Sequence, residues 1–223
     1  MLAVGNDVVD LHHPDSRQKS SDWRFVQRVF LPEEQELIYA DPDPNSCLWM
    51  LWAAKETTYK ILTKEIPSVS SSPLKYRTEQ LCETVLPYHG NSRRFTCLVT
   101  TPWGSALITI YIEHEYLHAF GSRGKGETLG GMHLRVFRLD VGCGKNDQTD
   151  SVIVRNVLRN YLGRCWNISP AAITVRREKN ERGSGPPYVY VNGEKAPADL
   201  SLSHHGRYGA FVLFAEQNRC VTS

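Results

Sequence analysis

The sequence has 223 residues and a mass of 25.3 kDa, which fits one large domain or two small ones. Apolar residues make up 41% and charged residues 22%, and this composition excludes disordered and fibrous proteins. The net charge of +2 is low for a nucleic-acid-binding protein, so we expect no nucleic-acid partner. Apolar runs such as residues 47–54 are far shorter than a membrane span, which predicts a cytoplasmic protein without a membrane partner.

The first half of the chain predicts a strand, a helical stretch and further strands, in that order. Residues 2–11 are apolar and β-branched, typical of a strand, and residues 21–30 have apolar side chains at helical spacing. Pro32, followed by two acids, indicates the start of a second helix. The sequence DPDPN at residues 41–45 breaks the chain, and residues 46–62 form the best helix. A loop at 66–73 precedes strands at 95–100 and 106–112.

The second half repeats this order after a glycine-rich stretch. Residues 121–131 contain five glycines without an apolar period, which predicts a linker. We expect a strand at 134–141, a helix at 151–162 capped by Gly163, and strands at 173–177 and 188–191 with a turn at 185–187. Two apolar stretches follow within residues 200–215. The element order predicts an α+β fold of two similar halves.

Two acidic residues follow a glycine in the first predicted strand, in the order GNDVVD at residues 5–10. In a regular strand, Asp7 and Asp10 lie on opposite faces. A carboxylate at a strand end beside flexible Gly5 can bind a hard cation. The alternative interpretation is a strand that runs into an acidic turn without a ligand.

The best predicted helix carries a glutamate on its apolar side. Trp49, Trp52, Glu56 and Tyr59 fall on one stripe of this helix. A carboxylate directed towards a core needs a cation or a metal as partner. The alternative is a solvated ion pair of Glu56 with Lys60, which stabilises a helix by a few tenths of a kcal/mol.

A third polar group lies near the end of the chain, in the sequence LSLSHHG at residues 200–206. It places hydroxyl and imidazole groups at an expected sharp turn after a strand. Such a turn can hold a phosphate. A polar β-turn without a ligand is the alternative.

His114, Glu115 and His118 match the H-E-x-x-H pattern of zinc peptidases. That chemistry needs both histidines on one helical face and the glutamate to activate water. An alternating strand ends at Glu113, and Gly121 follows soon after His118, so a long helix has little room. A zinc metallopeptidase is therefore an alternative hypothesis.

Together, the first three groups resemble the signature of the 4'-phosphopantetheinyl transferases. The G-x-D motif of that family is matched by Gly5 and Asp7, and its W-x-x-K-E-x-x-x-K motif by WAAKETTYK at residues 52–60. FLPEE at residues 30–34 resembles the segment that opens the intervening helix, and SLSH at 201–204 matches a third motif. The element order extends the resemblance over most of the chain.

The resemblance implies the family's fold, in which long members fuse two similar α/β half-domains into a pseudo-dimer. In long members the S-H motif normally precedes G-x-D, whereas here it comes last, as in the short holo-acyl-carrier-protein synthases. We therefore expect a circular permutation, with a half-domain at 1–122, a linker at 123–131 and a half-domain at 132–223. The active site would lie between the two halves of a monomer.

The resemblance also implies the chemistry. A serine of an acyl or peptidyl carrier protein attacks the β-phosphate of coenzyme A, and 3',5'-adenosine bisphosphate leaves. Asp7 and Glu56 are the expected ligands of Mg²⁺, with Mn²⁺ as the alternative, because hard cations prefer oxygen ligands. Glu56, Lys60 and Asp7 are the expected catalytic residues. The residues expected to contact coenzyme A are Lys55, Lys60, Ser203 and His204.

Two positions depart from the pattern of long members. Val9 stands where they usually carry a second acid, and residues 185–187 read G-P-P where many carry G-K-P. The lysine that grips phosphate is therefore missing, and Lys179, Arg182 or Lys195 could replace it. These departures leave a second alternative, a carrier-protein or nucleotide-binding module without catalysis.

Overall fold

The computed structural model describes residues 2–66, 68–84, 92–124, 131–139, 147–180 and 183–215. The first elements are β1 (Ala3–Asp10), α1 (Trp23–Val29), α2 (Pro32–Ala40), α3 (Pro44–Glu65), β2 (Arg77–Thr84), β3 (Arg93–Thr101), β4 (Gly104–Ile112) and β5 (Tyr116–Arg123). The later elements are β6 (Met132–Arg138), α4 (Asp147–Trp166), β7 (Ile173–Asn180), β8 (Gly183–Val191), β9 (Glu194–Lys195), β10 (Ala198–His205) and β11 (Tyr208–Ala215). Within these ranges, no helix is both long enough and apolar enough to cross a membrane.

The earlier elements form an antiparallel sheet in the order β1-β5-β4-β3-β2. Helix α3 covers this sheet, because its apolar side buries residues such as Leu48, Leu51 and Ile61 in a core shared with Ile108 and Ile110 of β4. The predicted helix and strands of this region are confirmed. Strand β2 was not predicted, and most of its side chains are exposed at the sheet edge.

The later elements form two smaller antiparallel sheets, in the orders β10-β11-β6 and β7-β8-β9, and β8 packs beside β10. Helix α4 covers them, with Leu158 and Leu162 in a core shared with Leu200 and Phe211. In both regions the first strand pairs with the last strand, and the last with the one before it. Helices over antiparallel sheets confirm the predicted α+β class.

Two predicted breaks lie inside regular elements. Helix α4 continues through Gly163, the expected cap, to Trp166. A Cβ atom at Gly163 would lie 2.9 Å from the carbonyl oxygen of Ile168, so this glycine allows close packing instead of ending the helix. Residues 185–187 belong to β8 and form no turn. Strand β9 pairs with Tyr190 and Val191, beyond the two prolines, so the missing N–H groups interrupt no bond to β9.

The S-L-S-H sequence lies within β10, and the predicted sharp turn follows the end of this strand. The turn of the β10–β11 hairpin comes later, at Gly206 and Arg207. Gly206 has a φ of 57°, a left-handed conformation that glycine adopts without strain. A Cβ atom there would lie 2.6 Å from Oδ2 of Asp10, so the turn also needs glycine for space.

The zinc-peptidase alternative is wrong, because its histidines do not lie on a helix. His114 and Glu115 lie between β4 and β5, and His118 lies in β5. The motif requires two histidines one helical turn apart on the same face. The predicted linker begins at Arg123, the last residue of β5, and its residues 125–130 lie outside the described residues.

Strand β1 forms one edge of its sheet, and β10 covers the backbone N–H groups of that edge. Three of these groups donate to β10 side chains: Val4 to Asp199 Oδ2 at 2.6 Å, Asn6 to Ser201 Oγ at 3.0 Å, and Asp10 to His205 Nδ1 at 3.1 Å. Buried backbone donors need such partners. The side chains of β10 thus act in place of a neighbouring strand.

Two lysines of α3 cover the carbonyl groups of the same edge. Lys64 Nζ donates to the carbonyl oxygen of Val4 at 2.6 Å, and Lys60 Nζ donates to that of Asn6 at 2.9 Å. Lys64 also pairs with Asp199 at 2.5 Å, and burial lowers the pKa of Lys64. This buried ion pair joins α3 to β10.

We predict that Lys64→Met lowers the free energy of unfolding by about 3–5 kcal/mol, because it leaves the Asp199 carboxylate buried without its cation. Urea denaturation at pH 7 measures the change. The control is Arg77→Met, which breaks an exposed pair with Glu33 and costs less than about 1 kcal/mol. Equal losses in the two variants would contradict the assigned role of Lys64.

Candidate functional site

The site begins where α3 passes over β1. A Cβ atom at Gly5 would lie 2.5 Å from the carbonyl oxygen of Thr57 and 2.6 Å from the side chain of Ile61. A larger residue at this position would push the helix away from the strand. The close approach brings Asp7, two residues along β1, to the Lys60 side chain.

Lys60 links α3 to the end of β1 through two oxygen atoms. Its Nζ donates to Asp7 Oδ1 at 2.7 Å and to the carbonyl oxygen of Asn6 at 2.9 Å. The side chains of Lys60 and Asp7 are 28% and 15% exposed, so both still reach solvent or a ligand. A cation and an anion are therefore held at fixed positions beside an opening.

Glu56 lies on α3 one turn before Lys60 and is partly buried. Burial raises the pKa of Glu56 to about 7; the charge of Asp7 also raises this pKa, and Lys60 lowers it. A carboxyl group that titrates near neutral pH is suited to accept a proton in catalysis. The pair of Asp7 and Glu56 thus combines acid–base capacity with an excess of negative charge.

A cavity of about 220 Å³ opens beside this group and is lined by both ends of the chain. Its walls come from β1, α3, α4, β7 and β10. The lining residues are Asp7, Lys60, Ser151, Val154, Arg155, Arg177, Leu202, Ser203 and His204. The structure therefore brings together four of the expected site residues, two from each end of the sequence.

Comparisons with known proteins identify the family of this chain. A crystal structure of the holo-[acyl-carrier-protein] synthase of Thermotoga maritima aligns with 87% of this chain and 86% of its own, with a TM-score of 0.38 and 13% identity. The family model of the 4'-phosphopantetheinyl transferase superfamily matches residues 3–97. The holo-[acyl-carrier-protein] synthases of two Leptospira biflexa strains are 32% identical over 97 residues, which cover 76% of each relative and 43% of this chain. The chain belongs to the 4'-phosphopantetheinyl transferase superfamily.

The region matched by the superfamily model carries one wall of the site. Residues 3–97 include Asp7, Glu56 and Lys60. Ser203 and His204, which line the same cavity, lie beyond that region. The cavity therefore combines residues of the matched region with residues from near the end of the described chain.

The donor set of this superfamily member fits a divalent cation. The charge of Asp7 raises the pKa of Glu56, so the two carboxylates repel each other in the absence of a cation. Magnesium binds through one or two carboxylates and completes its shell with water and substrate phosphates. Among the described residues, no group of three or more histidine, cysteine, aspartate or glutamate side chains is arranged to hold a metal. Two carboxylates nevertheless suffice for a cation that binds together with a phosphate substrate.

Lys55, expected to contact coenzyme A, is not placed with the other site residues. Its side chain is 2% exposed, and Nζ pairs with Glu34 at 2.6 Å. The same Nζ donates to the carbonyl oxygens of Val29 and Pro73. These bonds hold Lys55 in the interior, where it connects α3 to α2.

Two arginines that no sequence motif had indicated also line the cavity. Arg155 projects from α4 and donates to the hydroxyl and carbonyl oxygens of Ser151 at 2.6 and 3.1 Å. Much of Arg177 on β7 is exposed, yet burial of its guanidinium and the charge of Arg155 lower the pKa of Arg177. Two cations that repel each other across a cleft favour the binding of an anion.

Of the three candidates named for the missing lysine, Lys195 does not line this cavity. The side chain of Lys179, and Arg182 as a whole, lie outside the described residues. Nζ of Lys195 lies 3.2 Å from the centre of the Tyr188 ring, in a cation–π contact. Arg177 instead donates to the carbonyl oxygen of Gly185 at 3.1 Å and so reaches the G-P-P segment itself.

We predict an acid-dependent loss of stability from His118, which is buried beside the site. Burial, together with the charge of Lys60, lowers the pKa of His118 to about 3. Below about pH 6.5 the unfolded chain binds a proton that the folded chain excludes, so stability falls on acidification by up to about 1.4 kcal/mol per pH unit. Urea denaturation between pH 4.5 and 7 should show a shallower dependence for His118→Gln, and equal slopes would contradict the assignment.

Proposed function

We propose that this chain transfers the 4'-phosphopantetheine group of coenzyme A to a serine of an acyl or peptidyl carrier protein. One observation carries the proposal: Asp7 and Lys60 share a cavity with Ser203 and His204. These residues come from three motifs that resemble the superfamily's signature. The names of the Leptospira relatives, holo-[acyl-carrier-protein] synthases, support the same substrate class.

We also propose that the chain is a pseudo-dimer of two half-domains in swapped order, at 1–122 and 132–223. The common strand order of the two regions supports this division. Because one chain supplies both walls of the cavity, the enzyme would work as a monomer. The cytoplasmic location stays a prediction from the sequence.

In the proposed reaction, the carrier serine oxygen attacks the β-phosphorus of coenzyme A. The new oxygen–phosphorus bond forms as the bond to the bridging oxygen breaks, and 3',5'-adenosine bisphosphate leaves. Glu56 would accept the serine proton, directly or through a water. Lys60 and Asp7 stay paired beside the phosphate, and the ammonium offsets negative charge.

Asp7 and Glu56 would hold Mg²⁺, or Mn²⁺ as the alternative. The cation would neutralise charge on the pyrophosphate. The repulsion that raises the pKa of Glu56 supports this assignment, because a bound cation relieves it. Hard oxygen ligands favour such ions over zinc.

Arg155 and Arg177 would bind phosphate groups of the donor. Arg177 bonds to Gly185, in the segment where long superfamily members carry the phosphate-gripping lysine. Its guanidinium would therefore supply the charge that Pro186 lacks. Ser203 and His204 on β10 line the same cavity and would contact the phosphates from the adjoining wall.

The direct test is incubation with coenzyme A, Mg²⁺ and a panel of carrier proteins, read by mass spectrometry. We expect each modified carrier to gain the mass of one phosphopantetheine group, and chelation of the metal to stop the reaction. Asp7→Ala and Glu56→Gln should reduce transfer to background, because they remove the proposed cation ligands. The control is Glu36→Gln, an exposed carboxylate of α2.

Unmodified carriers would contradict the proposal if an established holo-acyl-carrier-protein synthase modifies them under the same conditions. Calorimetric binding of coenzyme A without any transfer would instead support the non-catalytic alternative. Thermal unfolding of each variant shows whether a loss of transfer reflects a loss of fold.

We predict that Arg155→Ala and Arg177→Ala each raise KM for coenzyme A by about tenfold or more, because each removes hydrogen bonds to a charged phosphate. Initial rates at saturating carrier protein measure the change. The control is Arg164→Ala, which removes an exposed arginine of the same helix as Arg155. An unchanged KM in both cavity variants would show that the arginine pair does not bind the donor.

A further inference from the structure

A small cluster of buried polar side chains lies in the contact between β1 and β10. Asn6 has no exposed surface, and its Nδ2 donates to Ser203 Oγ at 2.9 Å. The same Nδ2 lies 3.2 Å from Nε2 of His118 in β5. The neighbours on either side along β1, Val4 and Val8, pack in apolar clusters.

The hydrogen-bond directions in this cluster follow from its chemistry. His118 is neutral, because burial lowers its pKa to about 3, so one ring nitrogen accepts and the other carries a proton. Nε2 faces the amide nitrogen of Asn6 and is therefore the acceptor. The second proton of Nδ2 goes to Ser203, whose oxygen accepts it.

Ser203 is left with one hydroxyl proton that the Asn6 contact does not use. Ser203 also lines the cavity with Asp7 and Lys60. A hydroxyl whose oxygen already accepts from one side donates to another partner, and phosphate oxygens are strong acceptors. We propose that His118 and Asn6 act as positioning residues, which orient the Ser203 hydroxyl as a donor to a phosphate in the cavity. This inference rests on the proposed function, because it takes that phosphate from coenzyme A.

The energetics of the cluster favour a role beyond packing. Asn6 Oδ1 is buried and has no hydrogen-bond partner in the described structure. A buried acceptor without a partner destabilises the folded state. Apolar side chains at all three positions of the cluster would avoid that loss, so stability alone does not require the amide. The amide does, however, fix which way the Ser203 hydroxyl points.

A double-mutant cycle tests the inference, with calorimetry of coenzyme A binding as the readout. In the wild-type background, Ser203→Ala should weaken affinity by about tenfold, because a hydrogen bond to a charged phosphate is lost. In the Asn6→Leu background the same change should weaken affinity less than about threefold, because the hydroxyl is no longer oriented. Ser203→Thr, which keeps the hydroxyl, should restore wild-type affinity.

The control is Ser201→Ala on the same strand. The Ser201 hydroxyl accepts from the backbone N–H of Asn6 and makes no bond to the Asn6 side chain. Its effect on affinity should not depend on the residue at position 6. His118→Phe keeps a ring against Phe120 and serves if Asn6→Leu does not fold. Independent effects of the Ser203 and Asn6 changes would overturn the inference.

Two outcomes separate this inference from the proposed function. Coupled effects on coenzyme A affinity without any transfer would contradict the proposed function alone. Transfer with independent effects would contradict the positioning role alone. Thermal unfolding adds a separate measurement of stability. We expect Asn6→Leu to lower the Tm, because it leaves His118 Nε2 buried without its donor, so affinities are compared at a temperature at which every variant is folded.

Discussion

The structure depends on how the backbone groups at the free edge of β1 find hydrogen-bond partners. An edge strand presents unpaired N–H and C=O groups that have to find partners when they are buried. Here β10 side chains accept from the N–H groups, and Lys60 and Lys64 donate to the carbonyl oxygens. Two strand residues advance about 6.8 Å and four helical residues about 6 Å, so lysines one helical turn apart match alternate carbonyls.

This closure gives the S-L-S-H motif a structural role as well as a functional one. Asp199, Ser201, Ser203 and His205 alternate along β10, and each bonds to β1. Leu200 points the other way, into the core under α4. The polar residues are thus needed to dock the two parts of the chain, and the cavity is a product of that docking. Lys60 also has two roles, because it donates to a carbonyl oxygen at the edge of β1 and lines the cavity.

Periodicity predicted the elements that bury a regular face. The helix at 46–62 and the strand at 106–112 were identified because one side of each is apolar, and the strand at 2–11 because it is apolar and β-branched. Strand β2 was missed because a mostly exposed edge strand with a bulge between Glu79 and Cys82 shows no apolar alternation. The predicted helix end at Gly163 and the predicted turn at 185–187 were wrong, because tertiary packing overrode the preference of glycine and proline for turns.

The sequence predicted those residues of the candidate site that stand in short motifs. Asp7, Glu56 and Lys60 stand in motifs of fixed spacing, which sequence alone reveals. Lys55 belongs to the same motif but turns into the core, and only the fold shows that α2 supplies its partner. Arg155 and Arg177 stand in a helix and a strand without a motif, so their convergence required the tertiary structure.

The hydrogen bonds between β1 and β10 join residues 195 positions apart. Closing so large a loop of chain has a high entropic cost, and contacts of this range form slowly. Helix α3 and the hairpins of β2 to β5 can form from nearby segments, whereas the cavity exists only after β10 has reached β1. Assembly of the site is therefore expected to be a late event in folding, and ligand binding would report that the whole chain has reached its native topology.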